Sequence, residues 1–137
     1  MAAPYIHTLR VRYHECDAQG IVFNANWFTF FDVTLTEWFR AAFGSYSALV
    51  EEHGVDVVLA ETSARFRGSA RFDDELAISA AVEHLGNSSM VVAFTARRDG
   101  EALVEGRTVY VFVGAADLAK RPIPAEVRES LAPYVTG

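Results

Sequence analysis

The sequence predicts an α+β fold in which one long helix packs against an antiparallel sheet. Two patterns carry this expectation. A single strong helical period occupies the first third of the chain, and four β-rich runs separated by turn signals fill most of the rest. A third observation bounds it: 137 residues is the length of one domain, and residues 1–137 read as one, with no internal repeat or linker. A chain of this size buries about two thirds of its unfolded surface. With 51% apolar and 22% charged residues it has the composition of a packed core, which excludes disorder.

Tyr5 to Tyr13 opens the chain as a strand, because Tyr5, His7, Leu9, Val11 and Tyr13 alternate with Ile6, Thr8, Arg10 and Arg12. His14 to Phe23 reads as a loop, with mixed polarity and Gly20. The long helix follows from roughly Ala25 to Phe43. Trp27, Phe31, Leu35, Trp38 and Ala42 recur at steps of three and four, Asn24 or Asn26 is placed to cap its start, and Gly44 ends it. Phe30 falls off the main apolar face, which suggests a subunit contact. A short helix is expected over Ser47–His53, capped by Ser45 and stopped by Gly54. Val55–Arg67, Glu75–Leu85, Ser89–Arg98 and Ala102–Val113 then read as strands. Asp99-Gly100 marks a two-residue hairpin, since both central positions of a type I′ turn take positive φ. Asp117–Pro124 reads as loop, and Ala125–Tyr134 as a short helix or irregular tail. A long apolar-faced helix followed by a meander fits two known shapes, the hotdog fold and the cone-shaped fold of small isomerases and cyclases.

A net charge of −6 argues against a general affinity for nucleic acid or for acidic membrane surfaces. Cys16 is alone, which excludes an internal disulfide and a multi-cysteine zinc site. No run approaches the roughly 20 apolar residues of a membrane span, and no signal-like start is present, so the expected location is cytoplasmic. No metal or cofactor is implied.

Asp17 is the most informative single residue. It stands in a loop just before a helix whose body is almost wholly apolar, near the unpaired N–H groups and positive dipole end of that helix. Such N–H groups stabilise a carbonyl oxygen that gains charge, leaving the carboxylate to act as base or nucleophile. The plainer reading is that Asp17 ties down its own loop. Gly20 supplies either a backbone conformation or a close approach denied to other residues. His14 and Glu15, as strand neighbours, point to opposite faces and form no joint site. His7, His53 and His84 show no metal spacing. The aromatic group Phe23, Trp27, Phe28, Phe30 and Phe31 either lines a pocket or fills the core. Ser88 and Ser89 follow a turn, where hydroxyls hold a ligand or the turn itself. Arg65, Arg67 and Arg71, and Arg97 with Arg98, form either phosphate contacts or a solvated sheet edge.

Arg12, Glu15, Asp17, Gly20, Ile21, Val22, Phe23, Asn26 and Trp27 together make the pattern R-x-x-E-x-D-x-x-G-I/V-V-aromatic-x-x-N-aromatic. This closely resembles the signature of the 4-hydroxybenzoyl-CoA thioesterase-like hotdog family. A looser likeness continues through Arg71 to Leu76 and Gly86 to Ser89. The resemblance implies a hotdog fold, a long central helix wrapped by a curled antiparallel sheet, assembled as a homodimer or homotetramer. It implies hydrolysis of an acyl-CoA substrate, with Asp17 as the catalytic carboxylate and the backbone N–H of Asn24 polarising the thioester carbonyl. Gly20, Phe23, Trp27 and Ser89 match substrate-binding positions. Many relatives have Tyr-His or Trp-Tyr where this chain has Phe23-Asn24, and basic residues are absent near Gly86–Ser88. A hotdog hydratase or dehydratase, or a non-catalytic acyl-CoA binder, are the other readings of such a chain.

Overall fold

A computed structural model describes residues 2–136. Its elements are β1 (Tyr5–Arg10), α1 (Asn26–Phe43), α2 (Ala48–His53), β2 (Val55–Phe66), β3 (Glu75–Leu85), β4 (Ser89–Arg98), β5 (Glu101–Gly114) and α3 (Ala125–Leu131), with 3-10 turns at Tyr13–Glu15 and Ala132–Tyr134. The strands form one antiparallel sheet in the order β1-β3-β4-β5-β2. No helix among the described residues is long and apolar enough to cross a membrane.

The alternation of the central strands decides which face meets the helix. Leu76, Ile78, Ala80 and Val82 of β3, Met90, Val92, Phe94 and Ala96 of β4, and Val104, Tyr110 and Phe112 of β5 are buried in one cluster with α1. From α1 this cluster takes Trp27, Phe30, Phe31, Leu35, Trp38 and Phe39. Each such side chain stabilises the fold by roughly 1.5–3 kcal/mol through loss of apolar surface from water. Breaks in register at Leu59/Glu61, Val82/His84 and Ala96/Arg97 sharpen the local twist, and the sheet curls around the helix.

Helix and sheet approach closely at Gly106. A Cβ there would stand 2.5 Å from Phe31 Cε2, and Phe31 stacks on Phe94 with ring centroids 5.0 Å apart. A bare backbone at Gly106 leaves the room in which that stack forms.

Several boundaries differ from the sequence expectation, each for a local reason. β1 stops at Arg10, and Tyr13 is 80% exposed, because the chain coils at Tyr13–Glu15 rather than continuing the alternation. Ala25, not Asn24 or Asn26, occupies the N-cap position of α1, and no side chain caps that end. Phe30 is buried and Phe28 is the half-exposed member, since the buried arc of the helix runs through Trp27, Phe30, Thr34 and Trp38. Ser45 does not cap α2; Ser47 holds that position, also without a side-chain bond. The Asp99-Gly100 hairpin has the expected left-handed pair, φ 51° and 83°. The tail is ordered helix: α3 and the turn after it pack Tyr134 edge-on against Trp38, and Thr136 N–H donates to Val82 O at 3.0 Å.

Candidate active site

The loop that carries Asp17 is a small closed turn. Asp17 N–H donates to Ile21 O at 2.9 Å, Gly20 N–H donates to Asp17 O at 2.9 Å, and Cys16 pairs with Val22. Gly20 adopts φ +77°, whereas a Cβ there would meet nothing closer than Arg71 Nη1 at 3.7 Å. Gly20 therefore serves the backbone conformation and not a close approach. Asp17 Oδ1 accepts the Gln19 N–H at 2.8 Å, an Asx turn, so one carboxylate oxygen does tie down the loop. Among the described residues, no protein donor reaches Oδ2.

Glu15 links this loop to the helix. Its side chain is buried, and it accepts the Arg12 N–H at 2.7 Å and the Arg12 guanidinium at 3.0 Å through Nε and 2.5 Å through Nη2. Its main-chain carbonyl accepts two further donors, Phe23 N–H at 3.0 Å and Asn26 Nδ2 at 2.9 Å. His14 and Glu15 thus share a 3-10 turn and not a strand, and the partner of Glu15 is Arg12. Burial pushes the Glu15 carboxyl up, but the hydrogen bonds and charge of Arg12 outweigh it and hold the group below its ordinary range. A carboxyl with a lowered folded pKa adds stability above its unfolded value, about 4.3, and loses it as pH falls through the folded value. The gap in urea midpoint between wild type and Glu15→Gln is therefore expected to be open at pH 7 and to narrow below about pH 4. A gap constant from pH 7 to pH 3 would contradict the pair's contribution.

At the helix entry, Phe23 N–H is taken by Glu15 O, and Asn26 N–H by Phe23 O at 2.9 Å. Between them, the N–H groups of Asn24 and Ala25 have no acceptor among the described residues. Asn24, Asp17 and Trp27 line one cavity of about 250 Å³, with Val22 and Trp27 as its buried apolar part and Phe66, Gly68 and Ser69 closing the far side. A second cavity, of about 350 Å³, shares Asp17 and is bounded by Cys16, Gly20, Tyr13 and Phe72, the last two in edge-to-face contact at 5.9 Å. No histidine lines either cavity. Among the described residues no group of three or more His, Cys, Asp and Glu side chains is arranged to hold a metal ion.

Of the residues singled out from the sequence, the fold brings Asp17, Asn24 and Trp27 into one cavity and Gly20 into the adjoining one. Phe23 is 48% exposed and lines neither. Ser89 does not line either cavity: Ile21 of the Asp17 turn bridges Arg71 just before β3, and β3 then runs eleven residues, a length of roughly 35 Å, to the turn before Ser89. A basic side chain does reach that turn. Arg128 of α3 donates through Nη2 to Gly86 O at 2.6 Å, which residue spacing alone does not reveal. Of the other arginines, Arg67 pairs with Glu105 and Arg98 with Asp74. A cavity of about 370 Å³ on the outer sheet face, beside Arg65, Glu83 and Arg107, has part of its charge paired, Arg107 to Glu83 at 3.5 Å, and Asp17 does not line it. Glu15 and Asn26 stand in the R-x-x-E and N-aromatic parts of the quoted pattern, yet spacing alone marks neither as a site residue. Phe66, Gly68 and Ser69 carried no local signal.

Comparison with known proteins gives this geometry a context. The family model described as Thioesterase superfamily matches residues 19–105, well over half of the chain. The acyl-CoA thioester hydrolase YbgC of Escherichia coli is 29% identical over 122 residues, covering 87% of this chain and 89% of that protein. The crystal structure of a hypothetical protein from Aquifex aeolicus superposes with a TM-score of 0.86 at 27% identity, over 93% of this chain and 99% of that one. A 1,4-dihydroxy-2-naphthoyl-CoA thioesterase from Synechocystis shares the fold at a TM-score of 0.83 and 14% identity, over 95% and 96% of the two chains. The curled five-stranded sheet around α1 is thus the hotdog arrangement and not the cone. On the family match, the chain belongs to the Thioesterase superfamily and is a thioester hydrolase.

Proposed function

We propose that the chain hydrolyses an acyl-CoA thioester to the free acid and coenzyme A, with Asp17 as its carboxylate and the helix entry as its oxyanion site. One observation carries the reading: Asp17 and Asn24, whose N–H has no acceptor among the described residues, line the same cavity together with Trp27. In one route Asp17 Oδ2 takes a proton from water, the hydroxide adds to the thioester carbon, and the oxygen that becomes negative is held by Asn24 N–H. Collapse breaks the C–S bond, and the leaving thiolate takes up the proton. In the other, Oδ2 itself attacks, expels the thiolate and forms an anhydride that water then cleaves. Both need the same two groups, and one oxyanion donor is worth about 3–4 kcal/mol of barrier.

The cavity beside Trp27 suits the acyl group, because its floor is apolar and buried. The Tyr13–Phe72 cavity is lined mostly by exposed residues and suits the thiol arm, whose large polar carrier stays in water. The names of the Escherichia coli and Synechocystis relatives support coenzyme A as that carrier. We read the chain as one domain that works in the cytoplasm as a homodimer or homotetramer. The twelve-residue edge strand β2 supports assembly, since it exposes Val58 and Leu59 along an open sheet edge. The test is thiol release from coenzyme A thioesters of short, long and aromatic acids. Release from at least one class is expected. No release from any would leave a hydrolase of a different thioester.

A further inference from the structure

One main-chain oxygen stands between the two halves of the site. The carbonyl of Glu15, two residues before Asp17, accepts Phe23 N–H at 3.0 Å and Asn26 Nδ2 at 2.9 Å. These donors flank Asn24 and Ala25, the residues whose N–H groups are left without acceptors. The Glu15 side chain is itself pinned by three bonds from Arg12, so the carbonyl is held from its own side as well.

Asn26 is the unexpected member. It is the first residue of α1, one position past the N-cap Ala25, and no side chain caps this end. Its carboxamide instead donates outward, across eleven residues of sequence, to the strand-side loop. That bond adds nothing to the hydrogen bonding of the helix. What it does is fix the helix entry relative to the Asp17 turn. Without it, Glu15 O keeps only the Phe23 N–H bond, and one of its two ties to the helix entry is lost.

From this we infer that Asn26 is a positioning residue for hydrolysis: through the Glu15 carbonyl it sets the spacing between the Asp17 carboxylate and the Asn24 N–H. The inference rests on the reading of the site given above. Preorganised donors act only where the developing oxyanion will stand, and a displacement of about 1 Å costs up to about 10²-fold in rate. The loss should fall on kcat, because neither Glu15 nor Asn26 lines either cavity beside Asp17.

The test compares wild type with Asn26→Ala, Asn26→Asp, Asn26→Gln and Asp17→Asn on a coenzyme A thioester that wild type turns over. An unhydrolysable thioether analogue measures binding, and a melting curve measures the fold. Asn26→Asp keeps the size and removes the donor; Asn26→Gln keeps a donor on a longer arm. Asn26→Ala and Asn26→Asp should lower kcat about 10- to 100-fold. Analogue affinity should stay within about threefold and melting within a few degrees, with Asn26→Gln recovering part of the rate. The inference is overturned if kcat per folded molecule is unchanged in Asn26→Ala and Asn26→Asp while Asp17→Asn is inactive, or if rate falls only in step with loss of folded protein. Full activity in Asp17→Asn would instead remove the underlying reading of the site.

Discussion

Asp17→Asn is expected to lower thioester hydrolysis by about 10³-fold or more while the protein melts within a few degrees of wild type. Asparagine matches aspartate in size, and its Oδ1 can keep the Gln19 N–H bond that closes the Asx turn at 2.8 Å. The turn bonds between Asp17 N–H and Ile21 O, and between Gly20 N–H and Asp17 O, use only main chain and are untouched. What disappears is the negative charge on the oxygen that has no protein donor. The substitution therefore separates the two readings of this residue, loop tie and reacting group. Loss of thiol release with the melting temperature kept identifies the reacting group. Retained hydrolysis, or a collapse of the fold, would make Asp17 a residue of loop structure.

The largest effect on stability is expected from Trp38→Ala, about 3–5 kcal/mol, which lowers the melting temperature by more than about 10 °C. Trp38 is fully buried in the C-terminal half of α1, beside Phe39 and edge-on to Tyr134 with centroids 5.5 Å apart. Its removal leaves a void between the helix and the C-terminal turn that a rigid sheet cannot fill. The indole Nε1 has no hydrogen-bond partner among the described residues, so the N–H is a buried, unpaired donor that costs the fold rather than supporting it. Trp38→Phe should accordingly cost much less than Trp38→Ala, roughly 1–2 kcal/mol for the lost volume. Equal losses in the two variants, measured by urea denaturation, would show that the N–H and not the packing matters.

Periodicity made the fold legible where the pattern is long. β3 and β4 begin and end at the residues that alternation assigns, because both are central strands with one face in the core. At β1 the same alternation overruns. A local competitor, the Glu15 carboxylate closing on Arg12, coils the chain before Tyr13 can join the sheet. Phe28 and Phe30 show the limit on a helix. Both are apolar and adjacent to the main stripe, and only the direction in which the sheet wraps α1 decides that Phe30 is covered and Phe28 is not.

The candidate site divides in the same way. Asp17, Gly20, Asn24 and Trp27 fall within eleven residues, so turn chemistry and helix entry are enough to group them. Asn26 looks like a helix cap by residue type and position. Its bond to Glu15 O depends on how the loop folds back, and the sequence does not encode that separately.

By itself the sequence determined the type and order of the elements, the packing of one helix on one antiparallel sheet, and the cluster of residues around Asp17. The elements and the Asp17 cluster rest on interactions between residues close along the chain, and the packing follows from the apolar periodicity of helix and strands. Tertiary structure alone decided that Phe66, Gly68 and Ser69 close the Asp17 cavity, that Gly106 makes room for Phe31, that Arg128 holds the Gly86 turn, and that Ser89 stands at the far end of β3. The physical reason is register: these contacts join segments about 40 to 75 residues apart, and which atoms meet is set by strand pairing and sheet curl, to which no single stretch of sequence is sensitive.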